Sequence, residues 1–196
     1  MLKKLFSTHI FPKYKQKIAG YITGMCEDNS KILDVGCDDG SLAVQIMKIN
    51  PTLRMVGIDI QANRPAKIPR KIYNGRKIPY KNKSFDIAIA VDVLHHTKNI
   101  PELLKEMKRV SKKYIIIKDH VTNTKLSRFI HSAIDYLLSR LFRIQYSANF
   151  LSSRQWNILF RNFNLRIIKQ PRKLNLKFGM TEKTNLIVKL KTSSAS

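Results

Sequence analysis

Residues able to do chemistry gather at a few points of this sequence. The densest is Lys31–Gln45, KILDVGCDDGSLAVQ, where Asp34, Gly36, Cys37, Asp38, Asp39 and Gly40 lie between an apolar run and a helically spaced one. Glycine lets a backbone pass close to a ligand and adopt conformations that other residues avoid, so Gly36 and Gly40 suit the floor of a pocket. With Asp59 and Asp92, five of the thirteen acids follow apolar runs. Each acid alone serves as readily as a helix cap or turn former; their joint order favours a ligand site. An acid in the place of Asp59 accepts from ribose hydroxyls, in NAD enzymes as in others, so it does not choose between cofactors. The glycines do not follow the Gly-x-Gly-x-x-Gly dinucleotide pattern. His95 and His96, then Asp119 and His120, follow two further apolar runs, and imidazole accepts protons near neutral pH. Which ring faces a pocket is left open by the sequence.

These residues need a frame that brings strand ends together. Short apolar runs at Lys31–Val35, Arg54–Ile60, Ile68–Tyr73, Phe85–Val93 and Tyr114–Lys118 read as strands, the last buried on both faces. Pro12–Cys26, Ser41–Ile49 and Pro101–Val110 carry helical spacing between them, the last with proline in its first turn. That alternation predicts an α/β parallel sheet covered on both sides, which binds ligands at the carboxyl ends of its strands. Leu126–Ile144 is a long helical stretch that interrupts the alternation; Ser152–Phe160 is a helix, and Leu165–Lys169 and Leu186–Leu190 are the last strands.

At 196 residues and 43% hydrophobic the chain suits a single domain with its own core. Its expected divisions are an N-terminal helical segment (1–29), a ligand-binding core (30–120), a helical insert (121–150) and a C-terminal helix with the last strands (151–196). Cys26 and Cys37 lack metal-ligand spacing and form no disulfide framework, so no metal is expected and a reducing compartment is. No apolar run approaches the ~20 residues of a membrane span, which reads as cytoplasmic, soluble or peripheral. The formal charge is +24, from 37 basic and 13 acidic residues. Such a surface attracts polyanions, nucleic acid or anionic lipid, although 25 lysines scattered along the chain also fit a compositional bias.

LDVGCDDG, then GIDI at 57–60, then IPYKNKSFDIAIAVDVLHH resemble the class I S-adenosylmethionine-dependent methyltransferases of the small-molecule, quinone-methyltransferase-like type (methyltransferase type 11). The resemblance covers Ile32–Lys118. It implies a Rossmann-like, mostly parallel seven-stranded sheet with helices on both faces and an insert after the fifth strand. Asp34, Gly36 and Gly40 match the family's Asp-x-Gly-x-Gly-x-Gly, with Asp38 in place of the middle glycine. The resemblance assigns cofactor binding to Asp34, Gly36, Cys37, Gly40, Asp59, Ile60 against the adenine, Asn74 and Gly75, and Asp92 and Val93 at the methionine end. His95 or His96 is the candidate catalytic base, and Asp119, His120, Tyr146 and Asn149 are candidate acceptor contacts.

The implied reaction is methyl transfer from S-adenosylmethionine to a small or lipid-like acceptor. A nucleic-acid methyltransferase is the alternative, suggested by charge but without the Pro-Pro-aromatic turn of exocyclic-amine methylation after the fourth strand. A non-catalytic binding module is a third reading, supported by Asp38 alone. In Leu126–Ile144, Leu126, Phe129, Ile130, Ala133, Ile134, Leu137, Leu138, Leu141 and Phe142 fall on one face, with Arg128, His131, Asp135, Ser139 and Arg143 away from them. The expectation is that the apolar face caps the acceptor pocket. The alternative is that this face, with Lys3, Lys4, Lys13, Lys15 and Lys17, rests on an anionic membrane. Nothing in the sequence indicates an oligomeric state.

Overall fold

The computed structural model describes residues 6–62, 64–142, 146–147, 149–171 and 185–192. A π-helical turn, Phe6–Ile10, runs into α1 (Phe11–Thr23). There follow β1 (Lys31–Val35), α2 (Ser41–Ile49), β2 (Arg54–Asp59), β3 (Arg70–Ile72), β4 (Phe85–Val91) and a 3₁₀ turn (Leu94–His96). The chain continues through α3 (Ile100–Val110), β5 (Ser111–His120), α4 (Lys125–Phe142), α5 (Ser153–Asn162), β6 (Leu165–Lys169) and β7 (Asn185–Thr192). The strands form one seven-stranded sheet in the order β3-β2-β1-β4-β5-β7-β6, with β7 antiparallel to both its neighbours and the rest parallel.

Two apolar layers cover the sheet. One packs Leu103, Leu104 and Met107 of α3 with Trp156 and Phe160 of α5; the other packs Ile18 and Ile22 of α1 with Leu42, Ala43 and Ile46 of α2. Helix starts follow their local chemistry. The Asn99 side chain accepts from the Glu102 amide ahead of Pro101, and Ser152 forms a reciprocal capping box with Gln155. β4 ends before the expected Val93 because Asp92 takes a left-handed φ of 55°, which turns the chain off the sheet and into the Leu94–His96 turn.

The largest departure from expectation is α4. Its buried side chains are His131 and Ser139, and Asp135 is half-buried with them, while Leu126 (68% exposed), Phe129 (71%), Leu137 (57%), Ile130 and Tyr136 face outward. The expected cap is therefore largely inverted: His131, Asp135 and Ser139 face the strand ends because they find histidine and aspartate partners there, and the apolar stripe is left outside except at the half-buried Ile134, Leu138, Leu141 and Phe142. Lys3, Lys4, Arg143 and Ile144 lie outside the described residues.

Candidate active site at the carboxyl ends of the strands

The turn after β1 is built around missing side chains. Gly36 has φ 72°, and a Cβ there would meet Val93 Cγ2 at 2.4 Å; at Gly40, φ 76°, it would meet Ile68 Cγ1 at 2.6 Å. Asp38 takes the middle position with φ 49°, a left-handed conformation that aspartate tolerates better than most, and Arg64 holds its carboxylate. The Cys37 side chain is buried against Gly57, so this residue offers the pocket only its backbone. Asp59 accepts from the Asp38 amide at 2.7 Å through Oδ2 and from the Gln61 amide at 3.0 Å through Oδ1, and it is half-exposed. Ile60 is exposed beside Gly75, whose φ of 77° turns the Asn74–Gly75 corner toward it. The Asn74 oxygen already accepts from the Arg76 and Lys77 amides, so its first role is to close that corner.

Asp34 is fully buried and its Oδ2 has no hydrogen-bond partner. Burial, with Asp59 and Asp38 nearby and only Lys15 opposing, pushes its carboxyl up to about 7. An orphaned buried carboxylate oxygen and a glycine cradle that any Cβ would fill suit a ligand carrying an ammonium and a sulfonium, the cationic groups of S-adenosylmethionine.

Beyond the turn lies a polar cluster. Asp92 accepts from the Tyr14 hydroxyl at 2.6 Å and from Lys118, whose ammonium is fully buried, and His120 Nε2 lies 3.4 Å away. Burial would raise Asp92, but the Lys118 charge outweighs it and holds the carboxyl well below the usual range; burial and Asp92 together raise the Tyr14 hydroxyl. His95 Nδ1 lies 2.5 Å from Asp119 Oδ1, and Phe150 stacks on the His95 ring at 5.0 Å. Burial disfavours the His95 cation, yet Asp119 outweighs that and raises it; burial pushes His96 down to about 4 and His120 to about 3. From α4, Asp135 Oδ1 approaches His95 Nε2 at 3.9 Å and His96 Nε2 at 3.7 Å, and burial pushes its carboxyl up to about 6.

Three expected acceptor contacts have partners within the protein. Asp119 is completely buried and its oxygens accept from the His95 amide and the His120 amide as well as facing the His95 ring, so it positions His95. Asn149 donates to the Thr97 carbonyl at 2.7 Å and clamps the turn after His95 from outside. Tyr146 is exposed and packs on Tyr136, with its hydroxyl toward the Ser132 carbonyl. Tyr14, Lys118, His131 and Asp135 join the cluster without local motifs; the signal for Tyr14 and Lys118 was a polar group at a position that the strand or helix pattern buries.

The sequence model of a methyltransferase-domain family matches residues 6–170. A tRNA (carboxymethyluridine(34)-5-O)-methyltransferase of Schizosaccharomyces pombe is 30% identical over 83 residues, which are 40% of this chain and 34% of that protein. This chain therefore spans about a third of the length of that curated relative. Among solved structures, a protein of Pyrococcus horikoshii aligns with a TM-score of 0.70 at 13% identity, over 95% of this chain and 92% of that one. A SAM-dependent methyltransferase of Aquifex aeolicus aligns with a TM-score of 0.60 at 14% identity, over 91% and 89%. At these identities the structural matches speak for the fold. With the family match over most of the chain, the chain belongs to the methyltransferase-domain family.

Proposed function

We propose that the acceptor is an apolar molecule drawn from an anionic bilayer, methylated at the end of the site lined by His95, His96 and Asp135. The observation that carries this reading is the two-faced helix α4. Its inward face brings Asp135 to the histidines, while its outward face leaves Leu126, Phe129, Ile130 and Leu137 in water. Contiguous exposed apolar surface of this kind marks an interaction site. Asp135 is the sole acid of α4 and points inward, whereas Lys125, Arg128 and Arg140 are exposed around the apolar stripe. Phe142 packs edge-on against Phe11 at 5.2 Å, which sets the start of α1, with exposed Lys13 and Lys17, beside the end of α4. An apolar stripe rimmed by cations suits the headgroup boundary of an anionic membrane.

In this reading Gly36 and Gly40 give the backbone its approach to the cofactor, Asp34 faces the ammonium, and Asp59 accepts from the ribose. The bound cofactor supplies an electrophilic methyl group, so the remaining task is to hold an acceptor in line and exclude water. Val93 wedges against Gly36, and Tyr14 reaches Asp92 from α1, closing the pocket from the helical side.

Vesicle co-sedimentation tests the membrane reading. The protein should bind vesicles with anionic lipid at least tenfold more tightly than neutral ones, and Phe129→Asp with Leu137→Asp should lower that binding at least tenfold with S-adenosylhomocysteine affinity unchanged, since each buried aromatic or leucine side chain contributes roughly 1.5–3 kcal/mol. Absence of binding at low salt, or light scattering that shows a stable dimer covering this face, overturns it.

Asp34 gives a pH signature. Because its folded value is raised to about 7, the stability tied to its neutral form is present in acid and is lost as pH rises toward 7. Cofactor affinity runs the other way, since an ammonium must displace the proton below that value. Calorimetric affinity for S-adenosylhomocysteine should fall by up to about tenfold per pH unit below 7. Asp34→Asn should bind more weakly with a flat profile; a pH-dependent Asn variant contradicts the role.

Transfer to RNA is the second reading, favoured by the tRNA-modifying relative and the +24 charge. It requires tRNA affinity that falls steeply with salt, as counterion release dictates.

A further inference from the structure

We propose that His95, His96 and Asp135 bind one divalent transition-metal ion at the acceptor end of this site. Their ligating atoms all lie within 4.8 Å of one another, with Asp135 Oδ1 3.7 Å from His96 Nε2 and 3.9 Å from His95 Nε2. Around a zinc-sized ion with bonds of about 2.0–2.1 Å, tetrahedral ligands stand about 3.4 Å apart. The two edges to Asp135 thus need to close by a few tenths of an ångström, and the edge between the two imidazoles, within 4.8 Å, by up to about 1.4 Å, which a rotation of the half-buried His96 ring supplies. The other nitrogen of His95 is already held by Asp119, the carboxylate–histidine pairing that orients imidazole ligands and raises their basicity. Asp119 is itself fixed by the His95 and His120 amides, so the ring cannot swing away without giving up its bond to an anchored carboxylate.

A second observation concerns the polar atoms around these ligands. His96 Nδ1, His120 Nδ1, His131 Nε2 and Asp135 Oδ2 are all buried without a hydrogen-bond partner, and they belong to the same contiguous cluster. Proteins leave few buried polar atoms unpaired, and of these Asp135 Oδ2 is placed to give a second bond to an ion held at Oδ1. Charge agrees: Asp92, Asp119 and Asp135 meet a single buried ammonium, Lys118, so the pocket is acid-rich inside a strongly basic chain. Two imidazoles and one carboxylate with open positions select a borderline ion such as zinc or iron(II) over calcium or magnesium. The cysteine spacing that argued against a metal could not see these ligands, because Asp135 reaches the two histidines only through the fold of α4.

The chemistry follows from the open positions. An acceptor hydroxyl bound to the ion loses its proton to solvent, and the resulting oxyanion forms the new C–O bond as the sulfonium C–S bond breaks, leaving a neutral thioether and a methyl ether. An acceptor with a second oxygen beside the hydroxyl would hold the ion in two places.

This rests on the acceptor end assigned above, but ion binding is read without acceptor, cofactor or lipid, so the two readings fail separately. Calorimetric titration of the metal-free full chain with zinc chloride, and separately with manganese chloride, should show one site per chain with micromolar or tighter affinity for zinc and a raised melting temperature. His96→Ala and Asp135→Asn should weaken binding at least thirtyfold while leaving S-adenosylhomocysteine affinity intact, which shows that they fold. Asp119→Asn, a positioning change, should weaken it by about 10–100-fold. His9→Ala, at an exposed histidine, should change nothing. No stoichiometric binding of either ion, or binding unaffected by His96→Ala and Asp135→Asn, overturns the proposal.

Discussion

Gly36→Ala should cost the protein its cofactor while leaving the sheet intact. The added methyl would sit 2.4 and 2.8 Å from the two Cγ atoms of Val93, on a residue already at φ 72°. The left-handed conformation alone costs an L-residue roughly 1–2 kcal/mol, and the turn can relieve the clash only by moving its backbone away from β4. Since that backbone forms the floor of the cofactor pocket, affinity for S-adenosylhomocysteine should drop by about a hundredfold, the factor that close to 3 kcal/mol of lost binding gives. Val93→Ala added to Gly36→Ala removes the contact but keeps the φ penalty, so it should restore part of the affinity. Wild-type affinity in Gly36→Ala, measured by calorimetry, would show that cofactor does not approach this turn.

The second large effect is structural. Lys118 is completely buried in β5, paired with Asp92 and lying 5.1 Å from the centre of the Tyr14 ring. Lys118→Met should destabilise the fold by roughly 3–5 kcal/mol, because the fully buried ammonium is lost and the half-buried Asp92 carboxylate is left without its countercharge. In a chain of this size that is a fall of about 10 °C or more in melting temperature. Asp92→Asn in the same chain removes the stranded charge and keeps a residue that accepts the left-handed φ of 55°, so the double variant should recover most of the loss. A double variant as unstable as Lys118→Met alone would mean that packing, not charge, holds β4 to β5 here.

The parts of this site that were legible in the sequence are those set by local chemistry. The Asp34–Gly40 turn announces itself because positive φ and close approach restrict which residues fit, and Asp59 ends its strand visibly. The parallel character of the sheet follows from the alternation of apolar runs and helices, whereas its strand order, with β7 antiparallel between β5 and β6, depends on long-range pairing that the alternation does not encode. The orientation of α4 was not legible. Amphipathic spacing shows that two faces differ, yet it does not say which one meets the protein. Here the polar face wins the inward position because Asp135 meets His95 and His96, and His131 lies against His120 and Phe150. Asp119 was hidden for a related reason: an acid after a strand looks the same whether it reaches a ligand or, as here, a histidine behind it.

Methyl-tritiated S-adenosylmethionine, incubated with the protein and either an extract of total membrane lipid or bulk tRNA, tests the central claim most directly. An apolar acceptor presented by a membrane predicts label that passes into the organic phase, that requires the protein, and that falls at least tenfold in Phe129→Asp with Leu137→Asp. Label that precipitates with the tRNA and is indifferent to those two substitutions would contradict it.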